Sequence, residues 1–150
     1  MTSRLSSLRL AAALAIATGF ATLAHADDSA ALAAAAKEPG AAVAASGLVY
    51  KSIKDGSGAS PKATDTVKVN YKGMLPDGTK FDASADHGGP ITFPLNRVIP
   101  CWTEGVQKMK VGGKAKLTCP SAIAYGARGA GGVIPPNATL VFEVELIAIN

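Results

Sequence analysis

Few side chains in this sequence could carry covalent chemistry. There are two histidines, His25 and His87, and two cysteines, Cys101 and Cys119. A Ser-His-Asp or Cys-His set needs a histidine close to a nucleophile. His25 falls in an N-terminal segment read below as removable, which leaves His87 in a Gly-rich loop. No HExxH, GxSxG, Walker or dinucleotide fingerprint occurs. The glycines between Gly126 and Gly132 lack the GK[ST] and helix-forming run of a phosphate loop. Two thiols and one histidine do not make an ordinary structural zinc site, so neither a metal nor a cofactor is expected.

What remains is apolar and aromatic: Tyr71, Phe81, Phe93, Ile99, Trp102, Tyr125 and Phe142, with one acid, Asp82, among them. Such a set binds an apolar ligand and orients it with few polar groups. It can also accelerate a reaction that breaks no bond. Rotation about an X–Pro peptide is one, with a barrier of ~18–20 kcal/mol and an uncatalysed time of tens to hundreds of seconds. A twisted amide has less charge separation than a planar one. A dry pocket therefore favours the twisted form, and a few hydrogen bonds can hold its carbonyl.

Positioning these groups falls to a short list of elements. Trp102, Val106 and Met109 recur at helical spacing. Pro100 suits the first position of that helix, where a missing N–H costs nothing. The indole reads either as core or as the floor of a pocket. Val111-Gly112-Gly113 ends the helix. Strands are expected at Leu48–Ile53, at Val67–Tyr71, from Phe81, at Ile91–Leu95, at Lys114–Cys119 and at Thr139–Ile149, each by alternation of apolar and polar residues. Pro76-Asp77-Gly78 is a tight turn between two of them. In the last strand Leu140, Phe142, Val144, Leu146 and Ala148 share one face. Ser121–Asn137 is a long connection rich in glycine and proline, and a connection of that length in a compact domain is usually functional or disordered. Tyr125, Val133 and Ile134 in it want burial. About five antiparallel strands around one short helix make an α+β domain.

Residues 1–26 read as a secretory signal peptide. Arg4 and Arg9 precede an uncharged apolar run, Leu10–Leu23, and Ala24-His25-Ala26 is a small-x-small cleavage signature. The run is shorter than the ~20 residues of a membrane span. Removing it leaves only two more cations than anions. Lys108, Lys110, Lys114 and Lys116 cluster without interleaved aromatics, so no nucleic-acid partner is expected. Residues 27–46 are half alanine and read as a linker, with the folded domain at 47–150. In an oxidising compartment, Cys101 and Cys119 are a candidate disulfide whose loop closure is worth ~3 kcal/mol.

From about Leu48 to Asn150 the chain resembles the FKBP-type peptidyl-prolyl cis–trans isomerases. The resemblance rests on VNYKGMLPDGTKFDAS (Val69–Ser84), VIPCWTEGVQKMKVGGKAKL (Val98–Leu117), AYGARGAGG (Ala124–Gly132) and IPPNATLVFEVEL (Ile134–Leu146). The spacing from Phe93 to Trp102 is similar to the exported bacterial branch that includes the macrophage infectivity potentiator proteins. The resemblance implies a half-barrel sheet wrapped over the helix with the pocket between them. It implies Trp102 as floor and Tyr71, Phe81, Val98, Ile99 and Phe142 as walls. The Ile99 N–H and the Tyr125 hydroxyl would bond substrate carbonyls, Asp82 would bias the twisting amide, and Val133 and Ile134 would overhang the pocket. Departures from the family pattern are Ile91 at an aromatic wall position, His87 where a basic partner of the acid often stands, Ala130 in the overhanging loop, and Cys101 in place of a glycine.

The expected function is isomerisation of X–Pro bonds in exported proteins during folding, in the periplasm or outside the cell. The expected partners are unfolded or partly folded proline-containing polypeptides and macrolides of the rapamycin type. The chain is expected to be a monomer without a membrane span. The alternative is a peptide-binding periplasmic chaperone that uses the same cleft with little turnover.

Overall fold

The computed structural model describes residues 23–150, with side chains from Ser29 onward. Most of the expected signal segment lies outside the described residues. An antiparallel sheet is laid over one short helix. Its strands are β1 (Ala41–Val43), β2 (Val49–Lys54), β3 (Thr66–Met74), β4 (Lys80–Ala83), β5 (Ile91–Pro94), β6 (Lys114–Cys119) and β7 (Leu140–Ile149). The lateral order is β1-β2-β6-β7-β3-β4, and β5 also pairs with β3. An N-terminal helix, α1, covers Leu23–Ala36, and the helix under the sheet, α2, covers Pro100–Gln107.

The seven strands among the described residues exceed the expected number of about five, for which six stretches were named. The addition without a sequence signal is β1, an alanine-rich edge strand that presents no alternation of large apolar residues. It pairs with β2 from Ala41↔Lys51 to Val43↔Val49. The stretch expected as a linker is therefore laid against the sheet, and Ala35 of α1 is buried.

Two lysines explain what holds that stretch. Lys51 and Lys116 stand directly opposite each other on β2 and β6. Like charges in that position repel. Glu38 lies between them, 2.7 Å from Lys116 Nζ and 3.2 Å from Lys51 Nζ. Hydrogen bonds from Lys116 first, then Lys51, hold the Glu38 carboxyl below its ordinary value of 4.5. A lowered carboxyl stabilises the fold above its unfolded-state value and loses that contribution as pH falls through the folded value. Glu38→Gln should cost up to about 1 kcal/mol, the scale of a partly exposed ion pair. Amide exchange at Ala41–Val43 should quicken while β3 and β7 stay protected. Unchanged exchange at β1 would mean that Glu38 does not pin it.

The core follows the alternation. Val67, Val69, Leu117, Leu140, Val144 and Leu146 of the sheet are fully buried, as is Val106 of α2, with Met109 just beyond its end almost so. One face assignment differs from the sequence reading. The register between β3 and β7 slips at Lys68/Val69. A bulge of this kind reverses which residues face in. Ile149, not Ala148, packs on the core at the strand's end.

Candidate active site

Trp102 enters the third position of α2. Pro100 begins that helix, as its fixed φ favours. Cys101 lies next to the indole, is fully buried, and is joined by a disulfide to Cys119 at the end of β6, with the two Cα atoms 5.8 Å apart. The helix is thus fastened to the sheet one residue away from Trp102. Trp102 itself is 4% exposed.

The indole is the hub of an aromatic box. Tyr71 of β3, Phe93 of β5 and Phe142 of β7 meet it edge to face, with centroids at 5.2, 5.6 and 5.4 Å. Phe81 of β4 stands edge-on to Phe142 at 5.5 Å. Edge-to-face contacts of this kind add about 0.5–1.5 kcal/mol each beyond the area they bury. They fix ring positions as well as stabilise. The box needs a bare backbone at Gly73, where a Cβ would lie 2.5 Å from the Phe81 ring and 3.0 Å from that of Phe142. The sequence reading assigned Gly73 no part.

Above the indole is a cleft of about 460 Å³. Its lining includes Tyr71, Phe81, Asp82, Val98, Ile99, Trp102, Tyr125 and Phe142, all singled out from the sequence, together with Phe93 and Arg97. Arg97 was not foreseen. It ends a 3-10 turn just ahead of α2, and no local pattern marks which way such a turn aims its side chains. Val133 and Ile134 are not among the lining residues. Ile134 is in the core, 6% exposed, while Val133 points outward at 55%. The connection doubles back on itself here: Ala130 and Ile134 pair across a β-bridge. Gly129, at φ +63°, fits only without a Cβ beneath the Ile134 carbonyl. Of the residues expected from this connection, Tyr125 lines the cleft.

Polar groups in the cleft converge on Asp82. The Tyr71 hydroxyl donates to Asp82 Oδ2 at 2.7 Å, and the Ala83 N–H donates to Oδ1 at 2.9 Å. His87 Nε2 lies 2.8 Å from the same Oδ1. Burial pushes the Asp82 carboxyl up, but hydrogen bonds from Tyr71, His87 and Ala83 outweigh it and leave the acid below its usual range. Burial, then the hydrogen bond to Asp82, raises the Tyr71 phenol well above its ordinary value. Burial and the Asp82 charge also raise that of Tyr125. Tyr71 is held from behind as well, its N–H donating to the buried Ser84 Oγ at 3.0 Å. The Ile99 N–H, at the residue that caps α2, donates to no acceptor among the described residues, as the opening of a helix leaves its first donors free. No group of three or more potential metal ligands occurs among the described residues. No helix among them is long and apolar enough to cross a membrane.

The arrangement is a mainly aromatic cleft with one fixed anion, Asp82, one cation, Arg97, the Tyr125 phenol and a free backbone donor. It has no nucleophile paired to a base. It suits orientation and distortion of a bound group better than bond cleavage.

Comparison with known proteins agrees. The model of the family described as FKBP-type peptidyl-prolyl cis-trans isomerase matches residues 58–147. The FKBP-type peptidyl-prolyl cis-trans isomerase FkpA of Aeromonas hydrophila is 63% identical over 119 residues, which cover 79% of this chain and 44% of that protein. The outer membrane protein MIP of Legionella longbeachae is 46% identical over 119 residues, covering 79% of this chain and 51% of its own. The crystal structure of FkpA from Escherichia coli superposes with a TM-score of 0.82 at 48% identity, over 85% of this chain and 59% of that one. A peptidyl-prolyl cis-trans isomerase from Pseudomonas syringae superposes at 0.80 with 41% identity, over 85% of this chain and 94% of that one. The chain spans about half the length of these FkpA and MIP sequence relatives, at 44% and 51%. Matched by the family model over residues 58–147 and 63% identical to an FkpA protein, the chain belongs to the FKBP-type peptidyl-prolyl cis-trans isomerase family.

Proposed function

We propose that this chain accelerates rotation about X–Pro bonds in exported polypeptides as they fold. The observation that carries the reading is the edge-to-face box around Trp102 with the Tyr71–Asp82 pair set into its wall. A proline ring is compact, apolar and of a size to rest on an indole. Phe81, Val98, Phe142 and Tyr71 exclude water around it. Loss of water raises the energy of the planar, more polar amide relative to the twisted one. The fixed Asp82 carboxylate acts in the same direction, because a negative charge beside the carbonyl disfavours the oxygen that is more negative in the planar form. The Tyr125 hydroxyl and the Ile99 N–H serve as donors that hold the substrate carbonyls on either side of the turning bond. Isomerisation then needs no proton transfer and no covalent intermediate.

The substrates are unfolded or partly folded proteins, since an X–Pro bond must leave its own fold to enter the cleft. Macrolides of the rapamycin type fit the same niche. We read residues 1–26 as a cleaved export signal, which places the domain at 47–150 in the periplasm or outside the cell, and we read the chain as a monomer. The helix α1 begins at Leu23, ahead of that cleavage point, so the N-terminus of the secreted chain, read by mass spectrometry, tests the assignment directly.

Asp82→Ala and Tyr125→Phe should each lower kcat/KM on a proline peptide by roughly ten-fold, about 1.4 kcal/mol of barrier. Their thermal unfolding should remain cooperative and within a few degrees of the parent. A protease-coupled assay measures the rate. Unchanged rates in both variants would remove these two groups from the mechanism.

A further inference from the structure

The geometry points to His87 as a positioning residue that makes turnover pH-dependent by switching the net charge of its pair with Asp82. This rests on the isomerase reading above.

His87 closes the 3-10 turn Ser84–His87 that follows β4. The turn is tied at both ends: the Gly89 N–H donates to the Ser84 carbonyl at 3.0 Å, and Lys80 pairs with Asp86 at 3.1 Å. Gly88, at φ +90°, turns the chain away immediately after it. The imidazole is thereby held against the carboxylate, with Nε2 2.8 Å from Oδ1. Its side chain is 53% exposed, so it exchanges protons with solvent while touching the cleft wall.

The contact survives both protonation states. Neutral His87 donates from Nε2–H and leaves Nδ1 to water; protonated His87 donates from the same atom and carries a positive charge. The Asp82 orientation is also kept by Tyr71 and Ala83 in either case. What changes is charge alone: the pair carries −1 when His87 is neutral and none when it is protonated. Histidine is the side-chain type that makes this change between pH 5 and 8. The other ionisable groups around the pair come from every neighbouring element. They are Tyr71 on β3, Tyr125 in the long connection, Asp86 with Lys80 beside the turn, and Arg97 at the cleft. Both phenols are shifted upward, away from this window.

An unbalanced carboxylate beside the carbonyl disfavours the planar amide, and a histidinium next to it cancels that field. Turnover should therefore be lower with His87 protonated than with it neutral. A chain with a permanent cation in this place would sit at the low level throughout.

The test is kcat/KM for the full chain on a proline peptide, read by exchange NMR from pH 5 to 8 so that no coupling protease is involved. The parent should lose about three-fold on acidification, with one inflection, the scale of a partly exposed ion pair. His87→Gln should be flat near the parent's value at pH 8, and His87→Arg flat near its value at pH 5. In Asp82→Asn, which has no carboxylate charge to cancel, the inflection should be lost. An active parent with a flat profile, or an inflection kept in His87→Gln or in Asp82→Asn, overturns the switch and leaves the isomerase reading intact. A parent inactive at every pH overturns both.

Discussion

Trp102→Ala should be the most damaging single substitution in the chain. It removes a side chain that is 4% exposed and touches three other aromatic rings. Truncating a buried tryptophan costs about 3–5 kcal/mol through lost transfer energy and the cavity left behind. Natural domains have only about 5–15 kcal/mol of stability, so a large share of the total would go. The cavity would open into the cleft, and Tyr71, Phe93 and Phe142 would lose the edge that fixes them. Denaturant unfolding should show a midpoint displaced by that amount. Trp102→Leu separates stability from catalysis. It refills most of the volume with an apolar side chain but offers no flat surface for a proline ring. It should fold cooperatively and still lose at least ten-fold in kcat/KM, or about 1.4 kcal/mol. A folded Trp102→Leu chain that turns over at the parental rate would show that the floor of the cleft plays no part in catalysis.

Breaking the Cys101–Cys119 bridge should have the next largest effect. The two residues are 18 apart in sequence, and both are fully buried. Closing a loop of that size restricts the unfolded chain by about 3 kcal/mol. The bridge joins α2 to β6 beside Trp102, so its loss loosens the indole's position as well as the fold. The Cys101→Ala/Cys119→Ala pair should unfold at a lower denaturant midpoint by about 3 kcal/mol and show a reduced kcat/KM. Alanine at both sites leaves no buried thiol, and the small cavities it creates add to the loss of the cross-link. Thiol titration of the unfolded, unreduced parent should find no free cysteine. Two titratable thiols, or a double variant as stable as the parent, would contradict the bridge and its contribution.

Much of the site could be read before any coordinates. The aromatics and Asp82 stood out because large apolar residues next to a lone acid leave few chemical uses. Phe93 stood with the aromatics but was not assigned to the cleft wall, and the structure places it there. Val133 and Ile134 are separated by the fold of their connection. Their hydrophobicity correctly called for some role, but the Ala130–Ile134 bridge buries one and exposes the other. Nothing local in a Gly-Pro connection encodes that fold-back. Strand β1 was missed for a related reason. Alanine has no strong alternation to display, and what holds the segment is Glu38 reaching Lys51 and Lys116, residues 13 and 78 positions away.

Chemical class and architecture were legible in the chain alone, because alternation, proline and glycine placement and the scarcity of nucleophiles are local properties. Which side chains share one cleft was decided only on folding. The register slip at Lys68/Val69 turned Ile149 inward. The bare backbone of Gly73 let Phe81 and Phe142 meet. The turn after β4 brought His87 within 2.8 Å of Asp82. Each of these depends on distances between strands or across turns, and such distances are set by packing rather than by the order of residues along a segment.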